Sequence, residues 1–330
     1  MLKNNNEIMV SICCITYNHE NYIEDAIKGF LMQKTDFKFE ILIHDDASID
    51  NTAKIIKKYE KKYPHLIKVI YQKENQFSKG VRILNSLFEK SKGKYIAICE
   101  GDDYWIDEYK LQKQINYMED NQDCTFCFTN AIKQNLITNQ KQIFIEKNWL
   151  NKKVFKLQDF NLGELAEFDF IPTASFVFPK RNLNNMPDFY DIPFVAGDFK
   201  LKLACTYQGY AHFINESMVV YRAGVPDSIT ISWSRESDEK IIERWQNFVN
   251  VIDKIDKETK QIYHKNLDRL SIHFERWILY LKRDKRILNE RYMEYYKDSS
   301  LKEKISLNLY LRCYGIYNFF KKIKDLTKNG

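Results

Sequence analysis

The 330-residue sequence has no apolar run long enough to cross a membrane: the stretch Met1 to Met9 is polar, and the apolar run from Val10 stops at Thr16. A protein that stays in the cytoplasm is expected. It also lacks an even set of cysteines. Seven are present (Cys13, Cys14, Cys99, Cys124, Cys127, Cys205, Cys313), most of them inside apolar runs, which argues for reduced core residues in a reducing compartment rather than a disulfide framework. Cys124 and Cys127 have C-x-x-C spacing, but no second pair follows and the surrounding residues alternate like a strand, which favours packing over a metal site. Excess charge of one sign is small. The formal net charge is +6, and most of it lies from Leu301 onward, where Lys302, Lys304, Arg312, Lys321, Lys322, Lys324 and Lys328 face only Glu303 and Asp325. The remainder is close to neutral, so no nucleic-acid surface is expected. Glycine and proline are absent between Asp227 and Tyr314, although both recur before it. This predicts an all-helical appendage over 232–330, separate from a first domain over 1–231.

Within that first domain, short β-rich runs alternate with helical patterns. Val10 to Thr16 reads as a strand buried on both faces. Asn21 and Glu24 have capping-box spacing before a helix whose apolar stripe is Ile23, Ala26, Ile27, Phe30 and Leu31. Strands follow at Phe39 to His44, Leu66 to Tyr71 and Tyr95 to Cys99, with helices between them. Four βα repeats imply an α/β fold with a mostly parallel sheet and helices on both faces. A helix through Leu111, Ile115 and Met118 leads to a strand at Thr125 to Thr129, and Asn130 to Trp149 reads as a hairpin or loop excursion. Ala174 to Phe178 and Met218 to Tyr221 complete the strands, with a helix opening at Pro193 to Asp198 between them.

Ligands of such sheets bind beyond the carboxyl ends of the strands. The polar residues gather there: Thr16-Tyr17-Asn18, Asp45-Asp46-Ala47-Ser48, Asn75, and Gly101-Asp102-Asp103. Asp102 and Asp103 repel each other unless a cation or a hydrogen-bond donor relieves them, and a hard divalent ion bridged to phosphate oxygens does so. One aspartate then suits ribose hydroxyls and the other the metal; the bland reading is an acidic solvated turn. A carboxylate at Asp45 or Asp46 suits the imide N–H of a uracil base; the bland reading is helix capping by Ser48 or Asp50, which leaves Asp50 and Thr52 structural and the earlier pair unexplained. Tyr17 has a ring to stack on a base or to pack.

Three segments then carry a family resemblance: Val10-Ser11-Ile12-Cys13-Cys14-Ile15-Thr16-Tyr17-Asn18, Asp45-Asp46-Ala47-Ser48-Ile49-Asp50-Asn51-Thr52, and Glu100-Gly101-Asp102-Asp103-Tyr104-Trp105 followed by Lys110-Leu111. In order and spacing the chain resembles the family 2 glycosyltransferases of the GT-A fold from about Met9 to Arg222. The resemblance implies an inverting transfer of a sugar, mostly from uridine-diphosphate donors, with Thr16, Tyr17, Asp46 and Asn75 at the base, Asp102 at the ribose and Asp103 on a divalent metal, Mn2+ or Mg2+. It also places Asp198, ahead of a helix, a strand and the pair Tyr221-Arg222, as the base that deprotonates the acceptor, with Arg222 assisting at the diphosphate. The chain departs from many relatives at Gly197, where an acidic residue is common, and at Ala223-Gly224-Val225, where a histidine often supplies a second metal ligand.

Trp105 reads equally as a platform for an acceptor sugar and as core. The segment Leu309 to Lys322 mixes aromatics with lysines, suiting either a packed terminal helix or contact with an anionic membrane, at the inner face of the plasma membrane if the acceptor is lipid-linked. The expected partners are a nucleotide-sugar donor and a glycan or lipid-linked acceptor, with bacterial surface glycan synthesis as the setting. A non-catalytic nucleotide-sugar binder or scaffold of the same fold is the alternative. A nucleotidyltransferase is set aside, because the loop Thr16 to Glu20 holds neither the glycine nor the arginine of a phosphate-binding loop.

Overall fold

The structure, a computed structural model, describes residues 7–145, 158–168, 170–193, 196–226, 228–292 and 301–312, with side chains from 305 in the last span. Two compact units emerge, one of Met1–Asp191 with Val195–Ile231, the other of Ile192–Phe194 with Ser232–Gly330.

In the first unit, β1 (Ile8–Thr16), β2 (Lys38–Asp45), β3 (Ile67–Tyr71) and β4 (Tyr95–Glu100) are joined by the helices α1 (Ile23–Leu31), α2 (Thr52–Lys62) and α3 (Ile83–Lys90). β1 pairs in parallel with both β2 and β4, and β2 with β3. The chain therefore winds outward from β1 to β3 and then returns to the other side of β1. That reversal opens a crevice at the carboxyl ends of β1 and β4. Beyond β4 the chain forms β5 (Tyr104–Trp105), α4 (Lys110–Asp120), β6 (Cys124–Asn135), β7 (Lys141–Ile143), β8 (Asp159–Phe160), α5 (Leu162–Ala166), β9 (Val177–Pro179), α6 (Gly197–Thr206), β10 (Tyr210–Ala223) and α7 (Ile229–Ser234). The sheet runs β3-β2-β1-β4-β9-β6-β10-β5, with β9 antiparallel to both of its neighbours and β6 parallel to β10. The architecture is thus α/β with a mostly parallel sheet. Its core joins Val10, Ile12 and Cys14 of β1 to Ala26, Ile27 and Phe30 of α1 and to Leu111, Ile115 and Met118 of α4.

Several boundaries differ from the sequence reading. Helix α1 starts at Ile23 behind Tyr22 with no capping box; Glu24 instead accepts from the Tyr59 hydroxyl at 2.8 Å. β6 continues past Thr129 to Asn135 through its pairing with β10 and β7, and the buried polar Asn130, which donates to the Ile145 carbonyl at 3.0 Å, disguises the strand. β10 is much longer than Met218 to Tyr221; the polar Asn215-Glu216-Ser217 marks register shifts against β6 rather than its start. Thr173–Ser175 is a 3-10 turn ahead of β9.

In the second unit α8 (Asp238–Glu258) and α9 (His264–Leu281) pack through Trp245 and Phe248 on Phe274, with ring centroids 4.9 and 4.7 Å apart. α10 (Leu301–Arg312) adds Leu307, Tyr310 and Leu311 to a cluster with Leu279 and Ile287. Among the described residues no helix is long and apolar enough to cross a membrane. The expected basic membrane contact falls mostly on residues 313–322, outside the described residues.

Candidate active site at the carboxyl edge of the sheet

Register sets the edge. Thr16 stands opposite Asp45, and Ile15 opposite Glu100, so the ends of β2, β1 and β4 form one row. The loop after β1 turns at Asn18, whose φ is 55°, and its amide donates to Ser48 Oγ at 2.9 Å while Asn18 Oδ1 accepts from the Ile49 amide at 2.9 Å. The first two loops are thereby stitched together. Asp45 accepts from the Ser48 hydroxyl and, at 3.3 Å, from the Ser48 amide. Asp46 accepts from the amides of Gln76 at 2.8 Å and Phe77 at 3.0 Å, which holds the loop after β3. Asp46 is 1% exposed, and its Oδ1 also lies 3.6 Å from His44 Nε2. Asn75 bridges the two loops, its Nδ2 donating to the Asp46 carbonyl at 3.4 Å and its Oδ1 accepting from the Ser78 amide at 2.7 Å. Tyr17, 40% exposed, projects from the same edge.

The acidic pair after β4 lies close against the end of β1: a Cβ on Gly101 would stand 2.5 Å from Thr16 Oγ1. A side chain at position 101 would have to displace Thr16. Asp103 is buried, with Oδ1 accepting from the Arg222 amide at 2.8 Å. Burial pushes its carboxyl well above the usual range, Asp102 and Glu100 push the same way, and the Arg222 amide and charge oppose them. Asp102 is only partly buried, with His19 Nε2 at 3.9 Å. Burial lowers the pKa of His19, against the pull of Asp102, so the imidazole is neutral near pH 7. Arg222 is a strut: its guanidinium donates to the Asp102 carbonyl at 2.8 Å, pairs with Asp25 of α1, and lies 4.3 Å from the centroid of the Tyr104 ring.

Glu100 belongs to this group, although motif reading gives it no role. Burial pushes its carboxyl up to about 8, Asp102 and Asp198 add to the rise, and the Thr173 hydroxyl opposes it. Its Oε2 is buried without a hydrogen-bond partner, as are Thr16 Oγ1 and His19 Nδ1. Three such atoms at one edge are costly in a protein built for stability alone. Asp198 is the second residue of α6, and burial raises its carboxyl against the opposing charge of Lys202 and the backbone amides at the start of the helix. Its influence on Glu100 brings it to the same acidic group. Burial raises the phenol of Tyr221, and Asp103 and Asp102 add to the rise.

One expectation is corrected. Trp105 is 1% exposed, edge-on to Phe30 at 4.9 Å, and donates from Nε1 to the Ala174 carbonyl at 2.9 Å, so it belongs to the core and cannot stack on an acceptor sugar. Among the described residues no three His, Cys, Asp or Glu side chains converge on a point where they alone would hold an ion. Carboxylate donors, one of them buried and pushed toward the neutral form, fit a hard cation that arrives with oxygen ligands of its own.

A sheet that reverses beside β1, with an acid-rich crevice at the reversal, defines the GT-A class of α/β folds, and the solved structure of S. aureus TarS 1-349 in complex with UDP has that fold: TM-score 0.56 over 90% of this chain and 77% of that one, at 17% identity. The family 2 glycosyl transferase model matches residues 11–180, more than half of the chain, and the chain belongs to that family. An uncharacterised protein of Mycobacterium tuberculosis is 34% identical over 218 residues, 64% of this chain and 58% of the relative. The Escherichia coli protein WfaP, named as a UDP-Glc:alpha-D-GlcNAc-diphosphoundecaprenol beta-1,3-glucosyltransferase, is 27% identical over 179 residues, 54% of this chain and 63% of WfaP. The chain thus spans less than two thirds of the length of these curated relatives.

Proposed function

We propose that this protein transfers a sugar, with inversion, from a uridine-diphosphate donor to an acceptor hydroxyl on a glycan, free or lipid-linked, in surface glycan synthesis. The observation that carries the reading is Asp103, a buried carboxylate beside Asp102 and Glu100 at the sheet's reversal, with Asp198 acting on Glu100 in turn. Such a cluster is tolerable when a cation and diphosphate share the space. The uridine donor is favoured by the acidic loop at Asp45 and Asp46, by the exposed Tyr17 after β1, and by the donor in the name of the E. coli relative.

Thr16, Tyr17, Asp45, Asp46 and Asn75 would receive the base, Asp102 the ribose hydroxyls, and Asp103 a divalent metal, Mn2+ or Mg2+. Bound there, the metal supplies Lewis-acid neutralisation of charge developing on the leaving diphosphate. Arg222 fixes the Asp103 carboxylate through its backbone amide and presents positive charge to the same edge. The acceptor oxygen attacks the anomeric carbon as the bond to the diphosphate oxygen breaks, and the acceptor proton passes to the Asp198 carboxylate. The raised pKa of Asp198 suits a general base.

Thermal melting across a panel of nucleotide sugars, with and without manganese, tests the donor side. Uridine-diphosphate sugars with metal should stabilise the protein, and Asp103→Ala should abolish the metal-dependent part. Asp198→Asn should keep donor binding and lose about 10²–10⁴-fold in turnover. Normal turnover in Asp198→Asn would remove that residue as the base, and metal-dependent stabilisation persisting in Asp103→Ala would remove the metal assignment.

A further inference from the structure

His44, next to last in β2, is sealed in the core at 1% exposure. Asp46 extends the same ladder by one more bond, its amide donating to the Thr16 carbonyl at 3.0 Å, so strand alternation puts His44 and Asp46 on one face of the sheet. On that face the Ser86 hydroxyl of α3 meets the imidazole, 3.1 Å from Nδ1. The other ring nitrogen, Nε2, lies 3.6 Å from Asp46 Oδ1, beyond hydrogen-bond reach, with both side chains 2% exposed and no closer partner among the described residues. A buried polar atom left so is costly unless the charge beside it compensates. Burial lowers the pKa of His44, against the pull of Asp46 and Asp45, so near pH 7 the ring is neutral and carries one proton. Its neighbours decide where. Nε2–H aims a dipole at the Asp46 carboxylate and lets Nδ1 accept from the Ser86 hydroxyl. Were the Ser86 proton given to the Ile83 carbonyl instead, 2.8 Å away, Nδ1 would have to hold the ring's proton and a bare Nε2 would set its lone pair against an anion. The carboxylate so approached carries the next loop. It takes the amides of Gln76 and Phe77, and the residue after it, Ala47, is held at φ 64°, a left-handed conformation that a residue with a Cβ seldom adopts.

We propose that His44 is a positioning residue of the donor site: from within the core it holds the Asp46 carboxylate, and through it the loop of Asn75 to Phe77, in the arrangement that receives the base. The inference rests on the donor reading given above. At 1% exposure His44 does not itself meet the donor. The order Asp, His, Ser is also that of a hydrolytic triad, but an imidazole sealed in the core has no leaving group to which it can pass a proton. An apolar residue would pack at this position at least as well, so the hold on Asp46 is what the imidazole supplies.

Titration calorimetry of UDP against the full chain tests it. A glutamine carries its amide nitrogen near the place of Nε2 and an asparagine near that of Nδ1, so His44→Gln keeps a donor for Asp46 and His44→Asn does not. Expected are a loss of about ten- to hundredfold in UDP affinity for His44→Asn and a change within about threefold for His44→Gln. Ser86→Ala should weaken UDP binding by about threefold alone and add nothing in the His44→Asn background. In turnover, donor KM should follow these losses while kcat changes less than about threefold, because the base is held alike in ground and transition states. Wild-type affinity in His44→Asn, or a His44→Gln as weak as His44→Asn, would overturn the proposal. Melting temperature needs no ligand. His44→Asn and Asp46→Asn together should lower it by less than the sum of their separate shifts, and additive shifts would overturn the proposal even where UDP binds. A wild type that bound no UDP would strike the donor reading, and the role of His44 with it, while non-additive melting would still show the contact.

Discussion

Glu100 ends β4 with a carboxylate that burial and its acidic neighbours push up to about 8 from an ordinary value of 4.5. Between those two values the folded protein holds a proton that the unfolded chain has released, so its stability falls as pH climbs through that window. Glu100→Gln removes the titration. Without added metal, the variant should melt higher than the wild type at pH 8 by about 2–4 °C or more, with the gap closing toward pH 5. A gap that stays constant across that range would remove the electrostatic account of the cluster. Asp102 and Asp103 were legible in the sequence because two adjacent carboxylates directly after an apolar run repel each other and call for a cation or a donor to relieve them. Glu100 was not. Asp198, which adds to its rise, comes from a distant helix, and nothing in the local alternation of β4 announces that helix. Trp105 stayed undecided between platform and core for the same reason, since the Ala174 carbonyl that claims its indole N–H lies far along the chain.

Strands β1 and β4 are pressed together at both ends by glycines, with different consequences. At the amino end, a Cβ on Gly93 would stand 2.4 Å from the Ser11 backbone nitrogen, which cannot move aside. At the carboxyl end, the obstacle to a Cβ on Gly101 is the Thr16 side chain. Gly93→Ala should therefore destabilise by about 1–3 kcal/mol while leaving donor affinity per folded molecule intact. Gly101→Ala should weaken donor binding beyond what its loss of stability explains, because Thr16 is displaced. Titration calorimetry of UDP against both variants, corrected for the folded fraction, separates the two; equal affinities would deny Thr16 a part in binding. The four βα units were legible from period and turn residues. β10 was visible only over Met218 to Tyr221, because Asn215 to Ser217 coincide with register shifts that break the alternation on which a strand is recognised.

One hydrophobic cluster lies within the first unit, built from residues between Val10 and Val219, and another within the second, from residues between Leu279 and Leu311. We infer that 1–231 is the donor-binding and catalytic domain and 232–330 a helical one. A fragment ending at Ile231 should fold cooperatively and bind UDP within about tenfold of the full chain; a fragment that fails to melt cooperatively would show that the helical region completes the first core. The helical region was foreshadowed by its want of glycine and proline, a whole-segment property that needs no tertiary knowledge. The bond from the Arg222 amide to Asp103 joins positions 119 residues apart. A chain emerging in order can pair β1 through β4 early, yet must wait for its tenth strand before the acidic pair receives this donor. Ligand affinity should therefore be the last property to appear on refolding, trailing the recovery of secondary structure, and its lag times the docking of that strand.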